Sequence, residues 1–300
     1  MISVYPKVFF IAETKSVLSR EEFADDPRLP GIMQWLHHIG EQEAVKCLSH
    51  MRGSDLEQII ELAARRCYKS FAPGLNPNVT KVRTDSAVFH ENILKQKHGS
   101  VAAHGHVTYA FEDVSRVFTH EVVRNSTGND MSQESLRYVR LDQIKFWVPP
   151  VIAVQEKTMA LPLPMAVLSN LSDPWPVKEM TPADIFEHVV QTCEWAQAAL
   201  ATYYDIENMT DFEQKKKLTS AFRRVAPEGL ATGIVMTFNI RSLRWIIEQR
   251  TAPWAEEEIR IVFNIVAKDA MARWPMVFQD FKEVDTADGL NWYQPGNSKI

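Results

Sequence analysis

Three cysteines in 300 residues leave little room for disulfide or thiolate-metal chemistry. Cys47, Cys67 and Cys193 are odd in number and far apart, so they give no disulfide framework and no Cys-x-x-Cys pair, and they read as reduced thiols. No apolar run reaches the roughly 18 residues of a membrane span, and no basic-then-apolar leader opens the chain. The expectation is a soluble, cytoplasmic protein with no membrane partner. An excess of positive charge is missing too: the formal net charge is -5 and the pI near 6.0. A nucleic-acid partner is therefore not expected, and any anion site must be a local cluster of arginines. His98, His104, His106 and His120 fit no His-Glu-x-x-His or Cys/His spacing, so no metal is expected. The Gly-x-Ser-x-Gly elbow of a nucleophilic serine is absent. So are internal repeats, low-complexity tracts and a clear linker. With 45% hydrophobic residues the chain can bury a sizeable core.

What is present is periodic over most of the length. Residues 8–12 read as a strand, and 20–49 as a charged amphipathic helical stretch. Residues 55–68 read as a helix with Leu56, Ile59, Ile60 and Ala63 on one face. Turn chemistry over 72–79 predicts a loop. Residues 107–111 alternate as a strand, Asp113 is expected to cap a helix reaching Arg124, and 125–130 is a polar loop. From 147 to 182 seven prolines break any period, which predicts an irregular insertion with short strands. Thr181-Pro182-Ala183-Asp184 starts a helix to about residue 204, and Thr210 with Glu213 starts another to about 224. A strand over 230–238, a helix from Asn239 to Arg250 and a helix from 253 to about 274 complete the reading.

Two segments gather arginines beside small polar residues. The first holds Ser115-Arg116, then Glu121 to Arg124, then Ser135-Leu136-Arg137-Tyr138; the second holds Asn239-Ile240-Arg241-Ser242-Leu243, Arg250 and Arg260. Guanidinium forks bind phosphate oxygens in pairs and keep their charge at every relevant pH. A nucleotide, and a nucleotide cofactor with it, is the ligand this pattern suggests. Each residue also has a plain structural reading. Asn239 is an N-cap or a ligand contact; Arg241, in a first helical turn, is an anion site or an exposed charge. Ser135 and Arg137, two apart, point the same way in an extended segment and suit a phosphate or a solvated strand edge equally. Trp245 and Trp254 are core residues or platforms for a flat ring.

Taken together and in order, these motifs resemble the flavin-dependent thymidylate synthases. Residues 97–104 (Lys-His-Gly-Ser-Val-Ala-Ala-His) look like that family's Gly-His-x-Ser-Pro-x-Glu-His segment, and the run from Arg124 to Tyr138 looks like its Arg-His-Arg, seven residues, Ser-x-Arg-Tyr signature. Arg223 to Pro227 is similar to its Arg-x-x-Leu-Pro. Asn239 to Leu243 is similar to Asn-x-Arg-Ser-Leu, and Ala255 to Arg260 to Ala-Gln-x-Glu-Ile-Arg. Residues 63–68 look like its early Ala-Ala-Arg-x-Cys-Tyr helix. The chain departs from the pattern at the centre, where Arg124-Asn125-Ser126 lacks the histidine and second arginine, and at Glu121, where glutamine is common.

The resemblance implies an α+β fold with an antiparallel or mixed sheet flanked by helices, as one domain over 1–300 with the insertion around 147–182. It implies a homotetramer with sites between subunits, FAD as cofactor, and methylenetetrahydrofolate and NADPH as co-substrates. The implied substrate is a deoxypyrimidine monophosphate, with dUMP converted to dTMP. By correspondence Arg250 is the catalytic candidate, polarising the pyrimidine. Glu121, Arg124, Ser135, Arg137, Tyr138 and Arg223 are the other substrate candidates. His98, Ser100, Arg124, Asn125, Asn239, Arg241, Trp245 and Trp254 are the cofactor candidates. Two alternatives stay open: hydroxymethylation of dUMP or dCMP on the same scaffold, which Glu121 motivates as an acceptor for an exocyclic amine, and a non-catalytic nucleotide-binding relative.

Overall fold

The computed structural model describes residues 2–16, 35, 38, 50–125, 128–136, 144–162 and 177–298. In chain order its elements begin with β1 (Ile2–Ser3), β2 (Lys7–Glu13), α1 (Asp55–Tyr68), α2 (Ser86–Lys95), α3 (Gly99–Ala102), β3 (His106–Ser115), α4 (Arg116–Val122) and β4 (Asn129–Gln133). Then come β5 (Lys145–Phe146), α5 (Pro150–Ala153), β6 (Met159–Pro162), β7 (Val177–Met180), α6 (Pro182–Tyr203) and α7 (Phe212–Phe222). A 3-10 turn (Arg223–Val225) leads to β8 (Ala231–Asn239), α8 (Ile240–Arg250), α9 (Glu257–Arg273), α10 (Pro275–Phe278), β9 (Phe281–Asp285) and β10 (Asn291–Pro295). The largest sheet has four strands in the order β2-β3-β8-β4. Helices and sheets alternate irregularly along the chain, as in an α+β protein. The chain divides into two compact units, the first comprising Met1–Lys7, Phe111–Glu121 and Ser132–Ile234, the second the remainder.

In the second unit the core is built from β3, β8, α8 and α9. Val107, Tyr109, Phe238, Ile240, Leu243, Ile247, Ile259, Val262 and Phe263 are all buried. Helix α1 opens on a capping box in which the Ser54 side chain accepts from the Glu57 N–H and the Glu57 carboxylate accepts from the Ser54 N–H. Its buried face is Leu56, Glu57, Ile60, Glu61, Ala64 and Arg65. Ile59 and Ala63, expected there, are only half-buried. The stripe is rotated because the Glu61–Arg65 pair (2.6 Å) is buried with it, and Arg65 also donates to the Arg83 carbonyl at 2.7 Å. In the first unit β1 pairs with β5 in parallel, β6 pairs with β7 antiparallel, and Ile144, Phe146, Val190 and Leu230 form a small core.

Several expectations are corrected. Asp113 caps no helix: it lies within β3 with φ 58° and accepts from Lys7 (2.7 Å) and Lys145 (3.0 Å). The helix starts at Arg116, where the Ser115 hydroxyl accepts from the Phe118 N–H at 3.1 Å, and it ends at Val122 rather than Arg124. The supposed loop over 125–130 contains the start of β4. Asp211, not Thr210, caps α7, accepting from the N–H groups of Glu213 and Gln214. The β9–β10 hairpin and helix α2 had no place in the sequence reading. The caps at Thr181 and Asn239 stand where the sequence put them, and short strands do occur in the proline-rich segment. The stretch 20–49 lies outside the described residues except at 35 and 38.

Candidate functional site

The first unit holds a cleft of about 440 Å³ at the start of α4, the end of β4 and the 3-10 turn after α7. Its walls are pinned by the backbone: the Arg116 N–H donates to the Leu230 carbonyl at 3.0 Å, and the Glu134 N–H to the Gly233 carbonyl at 2.9 Å. The Gln133 amide donates to the Thr119 hydroxyl at 3.0 Å. Arg116, Arg223 and Arg224 line the cleft together with Ser135. Arg223 and Arg224 are exposed and Arg116 half-buried. Opposite charge is present in Glu134 and in Glu228, whose carboxylate lies 3.5 Å from His120 Nδ1. Three guanidinium groups and a hydroxyl converging on one hollow suit a phosphate dianion.

Ser135 and Arg223 were singled out from sequence. Arg116 belongs to the first arginine cluster without a role of its own, and Arg224 enters only as the neighbour of Arg223; adjacency to a motif residue is the signal available. Arg137 and Tyr138 lie outside the described residues.

In the second unit a different set is assembled around α8. Asn239 caps the helix, its side-chain oxygen accepting from the Ser242 N–H at 2.8 Å. Its Nδ2 donates to the Gly128 carbonyl at 3.1 Å. Gly128 has φ +72°, and a Cβ there would collide with the Asn239 amide, so glycine is required on both counts. At the far end of α8, Arg250 is half-buried and meets Asn125, which is buried. With the Asn125 amide oxygen turned toward it, Arg250 donates through Nε and Nη2 at 3.2 Å each. The Asn125 N–H donates to the Val122 carbonyl at 3.0 Å, and Asn129 Nδ2 donates to the Asn125 carbonyl. Both ends of α8 are thus tied to the short stretch between α4 and β4.

Arg241 and Trp245 are exposed one turn apart on α8, so a guanidinium and an indole share a face near the helix start. Trp254 is 72% exposed and packs edge-on to Trp292 with ring centroids 5.0 Å apart. His98 precedes α3, with the Tyr68 hydroxyl 2.9 Å from its Nε2; Ser100 is exposed. Burial, with Cys67 adjacent, pushes the Tyr68 hydroxyl above its ordinary pKa, so it remains a proton donor. Arg124 is exposed and Glu121 half-buried. Arg260, which the sequence grouped with the phosphate-binding arginines, is buried against Asp288 and donates to the Thr286 hydroxyl at 2.8 Å. It anchors the β9–β10 turn.

The family described as thymidylate synthase complementing protein matches residues 46–276. A flavin-dependent thymidylate synthase of Mycobacteroides abscessus is 28% identical over 231 residues, covering 77% of this chain and 82% of that protein. One of Mycobacterium tuberculosis is 29% identical over 240 residues, with the same coverages. A crystal structure of a UMP/dUMP methylase from Streptomyces cacaoi bound with 5-Br UMP aligns over 92% of this chain and 93% of that one, with TM-score 0.48 and 14% identity, a likeness too loose to carry an argument.

Proposed function

This chain belongs to the thymidylate synthase complementing protein family, that of the flavin-dependent thymidylate synthases, and on that premise we propose that it moves a one-carbon unit from methylenetetrahydrofolate to C5 of dUMP, giving dTMP. The observation that carries the reading beyond the family is the convergence of Arg116, Ser135, Arg223 and Arg224, from separate stretches of chain, on one cleft. In this reading Arg223 and Ser135 hold the nucleotide phosphate, with Arg116 and Arg224 adding to the local positive field. Glu121, Arg124, Arg137 and Tyr138 are assigned to the nucleotide by the resemblance alone.

The residues around α8 fit a flavin nucleotide in chemistry: Arg241 offers a cationic fork beside a helix N-terminus, and Trp245 a flat apolar face on the same side. His98, Ser100, Arg124 and Asn125 join the set by correspondence with the family, and Trp254 as a second flat face. Asn239 is already engaged as a cap, so any part it takes is through the helix start it fixes. A flavin held there would supply, once reduced by NADPH, the hydride that the methyl group requires. The protein's own task is to bind, orient and polarise. Arg250 is assigned to the carbonyl and N3 edge of the pyrimidine, where a permanent charge stabilises the negative charge that develops as C5 becomes nucleophilic. Homotetrameric assembly belongs to the same reading.

Arg250→Lys tests this. Lysine keeps the charge and loses the planar fork. Turnover should fall by about 10²–10³, the cost of one preorganised donor, while bound FAD stays near one per chain. A near-normal rate removes Arg250 from the chemistry and leaves it a C-terminal helix charge, worth about 0.3–1 kcal/mol.

A further inference from the structure

We propose that Asn125 is a positioning residue for Arg250: its buried amide oxygen is the fixed acceptor that holds the guanidinium in one orientation. This rests on the reading of Arg250 given above. A free arginine side chain samples many rotamers, and a catalytic fork must be held to within a fraction of an ångström and some ten to twenty degrees. Arg250 is the last residue of α8, where the helix itself provides least restraint. Asn125 provides it. With the amide turned so that its oxygen faces Arg250, that oxygen receives both Nε–H and Nη2–H at 3.2 Å, in place of the bond that Nδ2 otherwise donates to the Val122 carbonyl at 3.3 Å, and the two bonds fix the plane of the guanidinium as well as its distance.

The acceptor is itself immobilised. Asn125 is 6% exposed, its N–H is bonded to Val122, and its carbonyl accepts from Asn129. Three residues on, the Gly128 carbonyl is held by the Asn239 side chain and by the Asn239 N–H at 3.3 Å. Gly128 is therefore bonded to the start of the same helix whose last residue is the arginine.

The choice of an amide has a chemical consequence. A carboxylate at this position would accept the same two bonds, but its charge would offset that of the guanidinium. A neutral acceptor orients Arg250 without setting a negative charge of its own beside the guanidinium.

The test is a double-mutant cycle combined with a direct probe of the pair. Asn125→Ala should lower kcat 10- to 100-fold and leave KM for the nucleotide within about threefold. In the Arg250→Lys background the same change should cost less than threefold, because the partner it serves is gone. A merely structural asparagine would reduce both backgrounds by the same factor, and that result overturns the proposal. In protein labelled with 15N-arginine, the Arg250 Nε–H signal, assigned by its loss in Arg250→Lys, should exchange slowly with solvent. It should exchange fast in Asn125→Ala and slowly again in Asn125→Asp, which keeps the acceptor. Fast exchange in the unmodified protein overturns the pairing whatever the rates show. Slow exchange with a fully active Arg250→Lys leaves the pair standing and overturns its catalytic purpose.

Discussion

His90 is among the most buried ionisable side chains, 1% exposed on α2, and its Nε2 has no hydrogen-bond partner among the described residues. Burial, reinforced by the Arg65 charge, lowers its pKa to about 4. The unfolded chain, with an ordinary value near 6.5, binds that proton more tightly. Stability from this residue is therefore complete above about pH 6.5 and declines as pH falls toward 4. Between pH 6.5 and 5 the loss should be on the order of 2 kcal/mol. Urea unfolding at pH 7.5, 6.5 and 5.0 checks this: the native protein should weaken over that range, and His90→Leu should weaken distinctly less. Equal pH slopes in both proteins would contradict the assignment. The residue scale also shows what a sequence hides. Asp113 has the form of an N-cap, but its partners are Lys7 and Lys145, distant in sequence. Burial works to raise its carboxyl pKa, and the two ammonium groups outweigh it, holding it below the usual range. Nothing local to Asp113 announces either lysine.

At the scale of elements, what was legible is what is local. Capping boxes and N-caps are written within four residues, so Ser54, Thr181 and Asn239 stand where the helix starts do. Strand β4, with the sequence Asn-Asp-Met-Ser-Gln, has no strand propensity of its own and exists because β8 lies beside it. The β9–β10 hairpin carried a readable Asp288-Gly289 turn, closed by the Thr286 N–H bonding to the Leu290 carbonyl. In the candidate site, Ser135 and Arg223 were legible through their motifs, whereas the Asn125 contact depends on how α8 lies against the 125–129 stretch. Helix α6 has a further consequence. Of its 22 residues only Val190 is buried, and Trp195 and Tyr203 are 63% and 81% exposed. A long helix so little covered is one that assembly would cover. Light scattering at micromolar concentration should give the mass of a tetramer; a fully active monomer would contradict the assembly proposed above.

For the whole molecule, the governing fact is that an acidic chain keeps its positive charge in small groups. The net charge of -5 gives no broad attraction for polyanions. Arg116, Arg223 and Arg224 instead share one cleft, and Arg241 and Arg250 share one helix. Other arginines are engaged structurally: Arg65 with Glu61, Arg244 with Asp280, Arg260 with Asp288. That grouping of arginines, three on one cleft and two on one helix, is the physical basis for reading a nucleotide enzyme here. It is tested most directly by the mass of the product. The purified protein should be yellow and release FAD on denaturation; incubated with methylenetetrahydrofolate, NADPH and, in separate runs, dUMP or dCMP, it should yield from dUMP a nucleotide heavier by one CH₂. A product carrying one further oxygen, or a product formed only from dCMP, would overturn the dTMP assignment, and unchanged dUMP with a colourless protein would contradict the account as a whole.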